Sequence, residues 1–191
     1  MVPKGADFEH GDDSDVATRA ARGDRVAYGA LVRMWQSALW RIARRYTGDP
    51  GEAEDIVQDV FVAFWRKLDE AGPPANVVSY LRRATLNTCR DWSRRRAVRA
   101  FFFRAAPLDG TQHGQSTSAL DNSQDGALST LDALIAALPA GLKEPLILCA
   151  LEGLNHKQAG DVLGLSAKAI ENRIGRAKVQ LRTNWPKASS L

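Results

Sequence analysis

The sequence predicts an all-α protein of two small helical domains joined by a flexible linker. Three observations lead there. Apolar residues recur at three- and four-residue steps through most of the chain, and no segment alternates apolar and polar residues with β-branched enrichment. Gly- and Pro-containing breaks cut the periodic stretches into helix-sized pieces. One stretch, PLDGTQHGQSTSALDNSQDGA, is rich in Gly, Ser, Asp, Asn and Gln and poor in large apolar residues, so it separates two units.

Residues 1–14 are expected to form an acidic tail. The first apolar stripe is Tyr28, Leu31, Trp35, Leu39, Ile42 and Tyr46. Gly48-Asp49-Pro50-Gly51 then breaks the chain, with Asp49 placed to cap the next helix and Pro50 at its first position. That helix carries Ala53, Ile56, Val60, Phe61, Phe64, Trp65 and Leu68 on one stripe and stops at Gly72-Pro73-Pro74. A third stripe, Val77, Leu81, Ala84, Thr88 and Trp92, leads into a run of arginines. Three such stripes bury one another, which makes residues 15–104 a helical domain. The run Phe101-Phe102-Phe103 either closes its core, the favoured reading, or forms an exposed patch that meets a partner.

The linker spans 105–127, and the second domain 128–186. Helical spacing resumes at Leu128, Leu131, Ile135 and Leu138, closed by Pro139. A helix from Leu142 to Glu152 tolerates Pro145 only if it starts near Leu142. Asn155 to Leu163, the turn Gly164-Leu165-Ser166, and a helix from Ala167 to about Asn184 complete the chain.

Net charge is only +4, but it is unevenly spread. Leu81 to Arg104 holds eight arginines against Asp91 alone, a local 8 − 1 = +7. Lys168 to Lys187 holds six basic residues against Glu171, a local 6 − 1 = +5. Pro107 to Ala127 has no Lys or Arg and three aspartates. The chain thus carries two basic blocks joined by a mildly acidic spacer.

No apolar stretch approaches the roughly 20 residues of a bilayer span, and the acidic N-terminus does not read as a secretion signal. Direct membrane insertion is therefore not expected. Cys89 and Cys149 lack metal-type spacing and read as reduced cytosolic thiols, so the expected location is cytoplasmic. His10, His113 and His156 are scattered, and no phosphate-cradling Gly loop or Gly-x-Ser-x-Gly elbow is present. Catalytic residues, metal ligands and cofactors are not expected.

The C-terminal pair of helices around Gly164-Leu165-Ser166 has the form of a helix-turn-helix. Its second helix buries Ile170, Ile174, Ala177 and Leu181 and leaves Lys168, Asn172, Arg173, Arg176 and Lys178 on other faces. Ser166 is a good N-cap that aims free N–H groups outward. The segment GLNHKQAGDVLGLSAKAIENRIGRAKVQLR resembles region 4 of sigma-70-type factors, in which the last helix reads the −35 element of a promoter. The resemblance implies that Lys157, Gln158, Ser166, Lys168, Glu171, Asn172, Arg173 and Arg176 face DNA. Other bacterial helix-turn-helix regulators share the pattern, so it specifies DNA binding more firmly than sigma-factor function. Three features depart from the family. Lys157-Gln158-Ala159-Gly160 replaces an acidic residue followed by Ile-Ala. Glu171 stands where Lys or Arg is common, and Gly175 costs the helix about 1 kcal/mol relative to Ala. These differences bear on which −35 sequence is read, and not on the mode of binding.

Upstream, GDPGEAEDIVQDVFVAFWRKL resembles region 2.2, the helix by which sigma factors dock on the clamp of the polymerase β′ subunit. Asp55, Gln58, Asp59 and Val62 lie on a face turned away from the apolar stripe. With Trp65 they are the implied docking residues, a mixed acidic and apolar set that suits a partner supplying arginines. VVSYLRRATLNTCRDWSRRRAVR resembles regions 2.3 and 2.4. Arg83, Asn87, Arg90 and Arg94 step by four, three and four along one helical face, which can follow a strand's phosphates. With Asn76 and Arg95 they are the implied residues of −10 recognition and strand melting, and Asp91 is expected to orient neighbouring arginines.

Order and separation of the two resemblances match the two-domain extracytoplasmic-function group of sigma factors. Membership implies core RNA polymerase (β′ clamp and β flap) and promoter DNA as partners, together with an anti-sigma partner, often membrane-anchored. A stand-alone helix-turn-helix regulator with an N-terminal sensing domain is the alternative. It explains the C-terminus equally well but leaves the Asp55/Gln58 face and the arginine face without a role.

Overall fold

The computed structural model describes residues 10–105 and 124–186, and among them there are helices and no strand. The all-α expectation holds, and most helix boundaries follow from the caps. The N-terminus differs from the expected tail. Helix α1 (His10–Ala21) begins inside it, Asp13 is buried, and Ala17 and Ala20 are fully packed. Small side chains on that face let α1 lie close against α2 (Arg25–Thr47). Asp24 caps α2 by accepting from the Val26 and Ala27 N–H groups at 2.9 and 3.0 Å, and also holds Arg19 at 2.6 Å. The Ala27 N–H and Arg19 keep its carboxyl below the usual carboxylate range.

Leu31, Leu39 and Ile42 of α2 are fully buried, and Trp35 and Tyr46 nearly so. Gly48 ends the helix with φ +80°, a left-handed conformation that favours glycine. Asp49 then caps α3 (Pro50–Ala71) through the Glu52 N–H at 3.0 Å, with Pro50 in the first turn. Phe64 and Leu68 fill the centre of this three-helix packing. Truncating Phe64 to Ala would cost about 3–5 kcal/mol.

Helix α4 (Val77–Ala105) is the longest at 29 residues. Its expected stripe is only partly the buried one. Val77, Leu81 and Trp92 are buried, whereas Leu86, Cys89 and Thr85 are more completely covered than Ala84 and Thr88. The reason is that α4 is covered from two directions, by α2 and α3 and also by the C-terminal half. The helix continues through the arginine block, where Phe101 is 71% exposed, so the favoured core role fails for this residue. The side chains of Phe102 and Phe103 lie outside the described residues.

Helix α5 (Gln124–Ala137) starts within the stretch expected to be linker. Helix α6 (Ala140–Leu146) starts two residues earlier than Leu142 and contains Pro145. Pro145 lacks an N–H to donate four residues back, and the chain then widens into a π-helical turn (Ile147–Leu151), in which Glu152 N–H donates to the Ile147 carbonyl at 3.0 Å. Helices α7 (His156–Leu163) and α8 (Ala167–Asn184) follow. Gly160 is needed where they meet, since a Cβ there would stand 2.4 Å from the Leu165 carbonyl oxygen.

The two halves share one continuous apolar core. Helix α2 packs on α5 and on the π-helical turn, and α4 packs on α7.

Candidate nucleic-acid interface and partner face

The outer face of α3 is open. Asp55, Gln58, Asp59 and Val62 are all exposed, Val62 to 54%. Trp65 does not join them. It is half-buried, with its ring packed edge-on against Tyr28 at 4.7 Å, and the Tyr28 hydroxyl donates to the Phe61 carbonyl at 2.5 Å. Trp65 therefore holds α3 against α2, because its position lies at the edge of the face, toward the core. A groove of about 740 Å³ runs between α3 and α4, lined on one side by Glu52, Asp55 and Asp59 and on the other by Arg94, Arg95 and Arg99. Trp92 at its floor donates from its indole N–H to Glu52. The docking and melting sets thus meet along one groove, acidic on one wall and basic on the other.

The α4 set is less uniform than its spacing suggests. Arg94 and Arg95 are exposed, and Asp91 accepts from Arg94 as expected. Asn76 is an N-cap whose side-chain oxygen accepts from the Ser79 N–H at 2.7 Å, so that atom is committed to starting α4. Arg83 donates to the Asp161 and Val162 carbonyls at 2.7 and 2.8 Å, at the C-terminal end of α7. Arg90 makes a two-pronged pair with Glu144 of α6 and also donates to Asn87 at 2.9 Å. These three residues surround a cleft of about 250 Å³ closed on its far side by Val162, Leu163 and Gly164. The C-terminal half engages the Arg83 and Arg90 guanidiniums, while Arg83 and Asn87 remain exposed and Arg90 half-buried.

In the helix-turn-helix, Asn155 and Gln158 form a reciprocal capping box, so the Gln158 side-chain oxygen serves the helix start. Lys157 is exposed beside it. Ser166 caps α8 through the Ala169 N–H at 3.2 Å. Ile170, Ile174 and Ala177 are buried and Leu181 is half-buried. Lys168, Glu171, Asn172 and Arg176 are exposed, whereas Arg173 is half-buried and leans over Gly141 of α6. Lys168 pairs with Glu171 at 2.8 Å and holds its carboxyl below the usual range.

Comparison with known proteins identifies this arrangement. The family models "Sigma-70 region 2" and "Sigma-70, region 4" match residues 31–99 and 128–181. RNA polymerase sigma factor CnrH of Cupriavidus metallidurans is 35% identical over 89% of this chain and 93% of its own length. The chain belongs to the sigma-70 family. Within that family it is an alternative sigma factor of the extracytoplasmic-function group. NccH of Alcaligenes xylosoxydans xylosoxydans is 33% identical over 88% of the chain and 92% of its own length. The ECF sigma factor SigE of Mycolicibacterium smegmatis is 30% identical over 89% of the chain and 67% of its own length. Among solved structures, CnrH in complex with the cytosolic domain of CnrY superposes with a TM-score of 0.66 at 32% identity, covering 90% of this chain and 96% of that one. RpoE of Bartonella quintana, solved with the anti-sigma factor NepR, shares the fold at a TM-score of 0.61 and 22% identity, covering 82% and 94%.

Sequence reasoning missed one group of this sigma factor's residues altogether. Arg41, Arg45, Lys143, Glu144 and Glu152 join the halves. Arg41 grips Glu152 at 2.9 and 3.1 Å, Arg45 pairs with Asp132, and Lys143 donates to the Tyr46 carbonyl at 3.1 Å and to the Ala136 carbonyl. The adjacent charges Lys143 and Glu144, in an otherwise apolar α6, were the local signal.

Proposed function

We propose that this sigma factor docks on the β′ clamp of core RNA polymerase through Asp55, Gln58, Asp59 and Val62. Arg83, Asn87, Arg90, Arg94 and Arg95 hold the −10 strand during melting. Lys168, Glu171, Asn172 and Arg176 read the −35 element, with Ser166 and Lys157 against the phosphates and the β flap behind. Residues 15–104 and 128–186 are the two working units. The chain supplies no catalysis of its own and acts in the cytoplasm, held in check by an anti-sigma protein, membrane-anchored in the family pattern. The presence of CnrY in the structure of the relative CnrH supports that control. Among the described residues no helix is long and apolar enough to cross a membrane.

One observation carries the reading: a single chain presents both an exposed acidic and apolar α3 face and an arginine-rich helix-turn-helix. The alternative, a stand-alone regulator, has no use for the first. Run-off transcription with purified core polymerase tests the proposal. Transcripts with mapped start sites are expected. Specific DNA binding without polymerase, and no transcripts with it, would transfer the reading to the alternative.

A further inference from the structure

Beside the shared apolar core, the polar contacts between the halves have a common chemistry. Each uses a cation, met by a carboxylate or by carbonyls at a helix C-terminus. Arg90 holds Glu144, whose side chain is 4% exposed, and Arg41 holds Glu152, also 4% exposed. Arg83 sits on the last carbonyls of α7, where the helix dipole is negative. Lys143 meets carbonyls at the ends of α2 and α5, its ammonium 4.3 Å from the centre of the Tyr46 ring. A guanidinium fork satisfied by a carboxylate cannot also clasp a phosphate with the same N–H groups. Opening must break both bonds of the Arg90–Glu144 fork, so Arg90 is shared between two competing partners, Glu144 and a phosphate.

We propose that this chain latches itself: Glu144 and the C-terminal carbonyls of α7 occupy, as internal stand-ins for DNA phosphates, the α4 arginines needed for promoter melting. Closure is then a property of the chain alone, and a partner reinforces it rather than creating it. The α3 face stays open in this state, so polymerase can dock on the latched chain while single-stranded DNA finds Arg83 and Arg90 already engaged and binds more weakly. The inference rests on the proposed role of Arg83 and Arg90, and opening of the latch is a step between docking and melting.

The test uses the full chain without polymerase. X-ray scattering gives its radius of gyration, and a fluorescent single-stranded oligonucleotide of mixed sequence probes the arginine face. Glu144→Gln keeps shape and removes charge. It is expected to raise the radius of gyration by several ångströms and to tighten oligonucleotide binding about tenfold, at unchanged helical content by circular dichroism. Arg41→Ala, which lies outside both DNA-binding sets, is expected to shift both readings the same way by less, and covers the case in which the Glu144 variant misfolds. An extended wild-type chain, or variants indistinguishable from wild type, would overturn the latch. Opening without any gain in oligonucleotide binding would overturn it too, because the arginines would not be what closure hides. Run-off transcription by the wild type reports separately on sigma-factor activity, so a failed latch and a failed functional reading give different results.

Discussion

The outer faces of α3 and α4 belong to the same helical unit, and both carry charge at helical spacing. One is unengaged and the other is partly engaged by the C-terminal half. Asp55 and Asp59 form no ion pair among the described residues, whereas Arg83 and Arg90 are engaged by the C-terminal half. The difference follows from charge. The C-terminal half turns Asp132, Glu144 and Glu152 toward the first half, and these select arginines on α2 and α4. An acidic α3 face has nothing to gain there and stays exposed.

The largest expected effect is on the open face. Asp55→Arg should weaken binding to core polymerase by about 2–5 kcal/mol, the range for losing a charge at an interface centre. It should leave thermal unfolding nearly unchanged, since the residue is exposed. Unaltered competition against wild type would remove Asp55 from the docking face.

Helix α8 repeats the contrast on a smaller scale. Arg176 is exposed and Arg173 leans on α6. Arg176→Ala should cost promoter binding about 1–3 kcal/mol if it touches bases, and Arg173→Ala less. Footprint titrations showing the reverse order would mean that α8 rotates or that Arg173 is released on binding DNA.

The covered side should also respond to pH. Burial pulls the Lys143 pKa down to about 8, opposed in part by Cys89 and Glu144, against an ordinary value of 10.5. If opening returns Lys143 to water, the closed chain binds fewer protons between those values. Closure should therefore strengthen as pH rises from about 8 toward 10.5, at most about tenfold per pH unit for one proton. Tyr46 and Cys89, both pushed up to about 12 by burial, face the same site with Arg90 and Glu144 and act in the opposite sense where opening exposes them. The measured quantity is thus the wild-type response minus that of Lys143→Met. A zero difference would show that Lys143 stays dry in the open chain.

The smallest effect is expected at Arg94, whose pair with Asp91 is 77% and 55% exposed. Arg94→Ala should change stability by less than about 1 kcal/mol, as such surface pairs do, while weakening single-strand binding. A larger loss in denaturant unfolding would assign Arg94 a structural role.

Much of the candidate site was legible locally. Asp49 and Ser166 cap where their positions suggested, and the α3 face is exposed as its spacing implied. The structure adds most where two elements share a residue. Trp65, Asn76, Gln158 and Arg173 match a binding pattern in sequence but spend part or all of their side chains on packing or capping. Gly160 looked like a departure from the family, and only the approach of Leu165 explains it.

By itself the sequence determined α2 to α4, α7 and α8, most of their breaks and caps, and the division of charge between two basic blocks, but not α1, the early start of α5 or the π-helical turn. These depend on neighbours within one or two turns, where periodicity and side-chain chemistry act directly. Only the tertiary structure decided which charged faces are covered. The contacts responsible join residues 54, 79 and 111 positions apart, as in Arg90–Glu144, Arg83–Val162 and Arg41–Glu152. No local period records such a pairing, because the partner of each arginine is chosen by how distant stretches of the chain pack together.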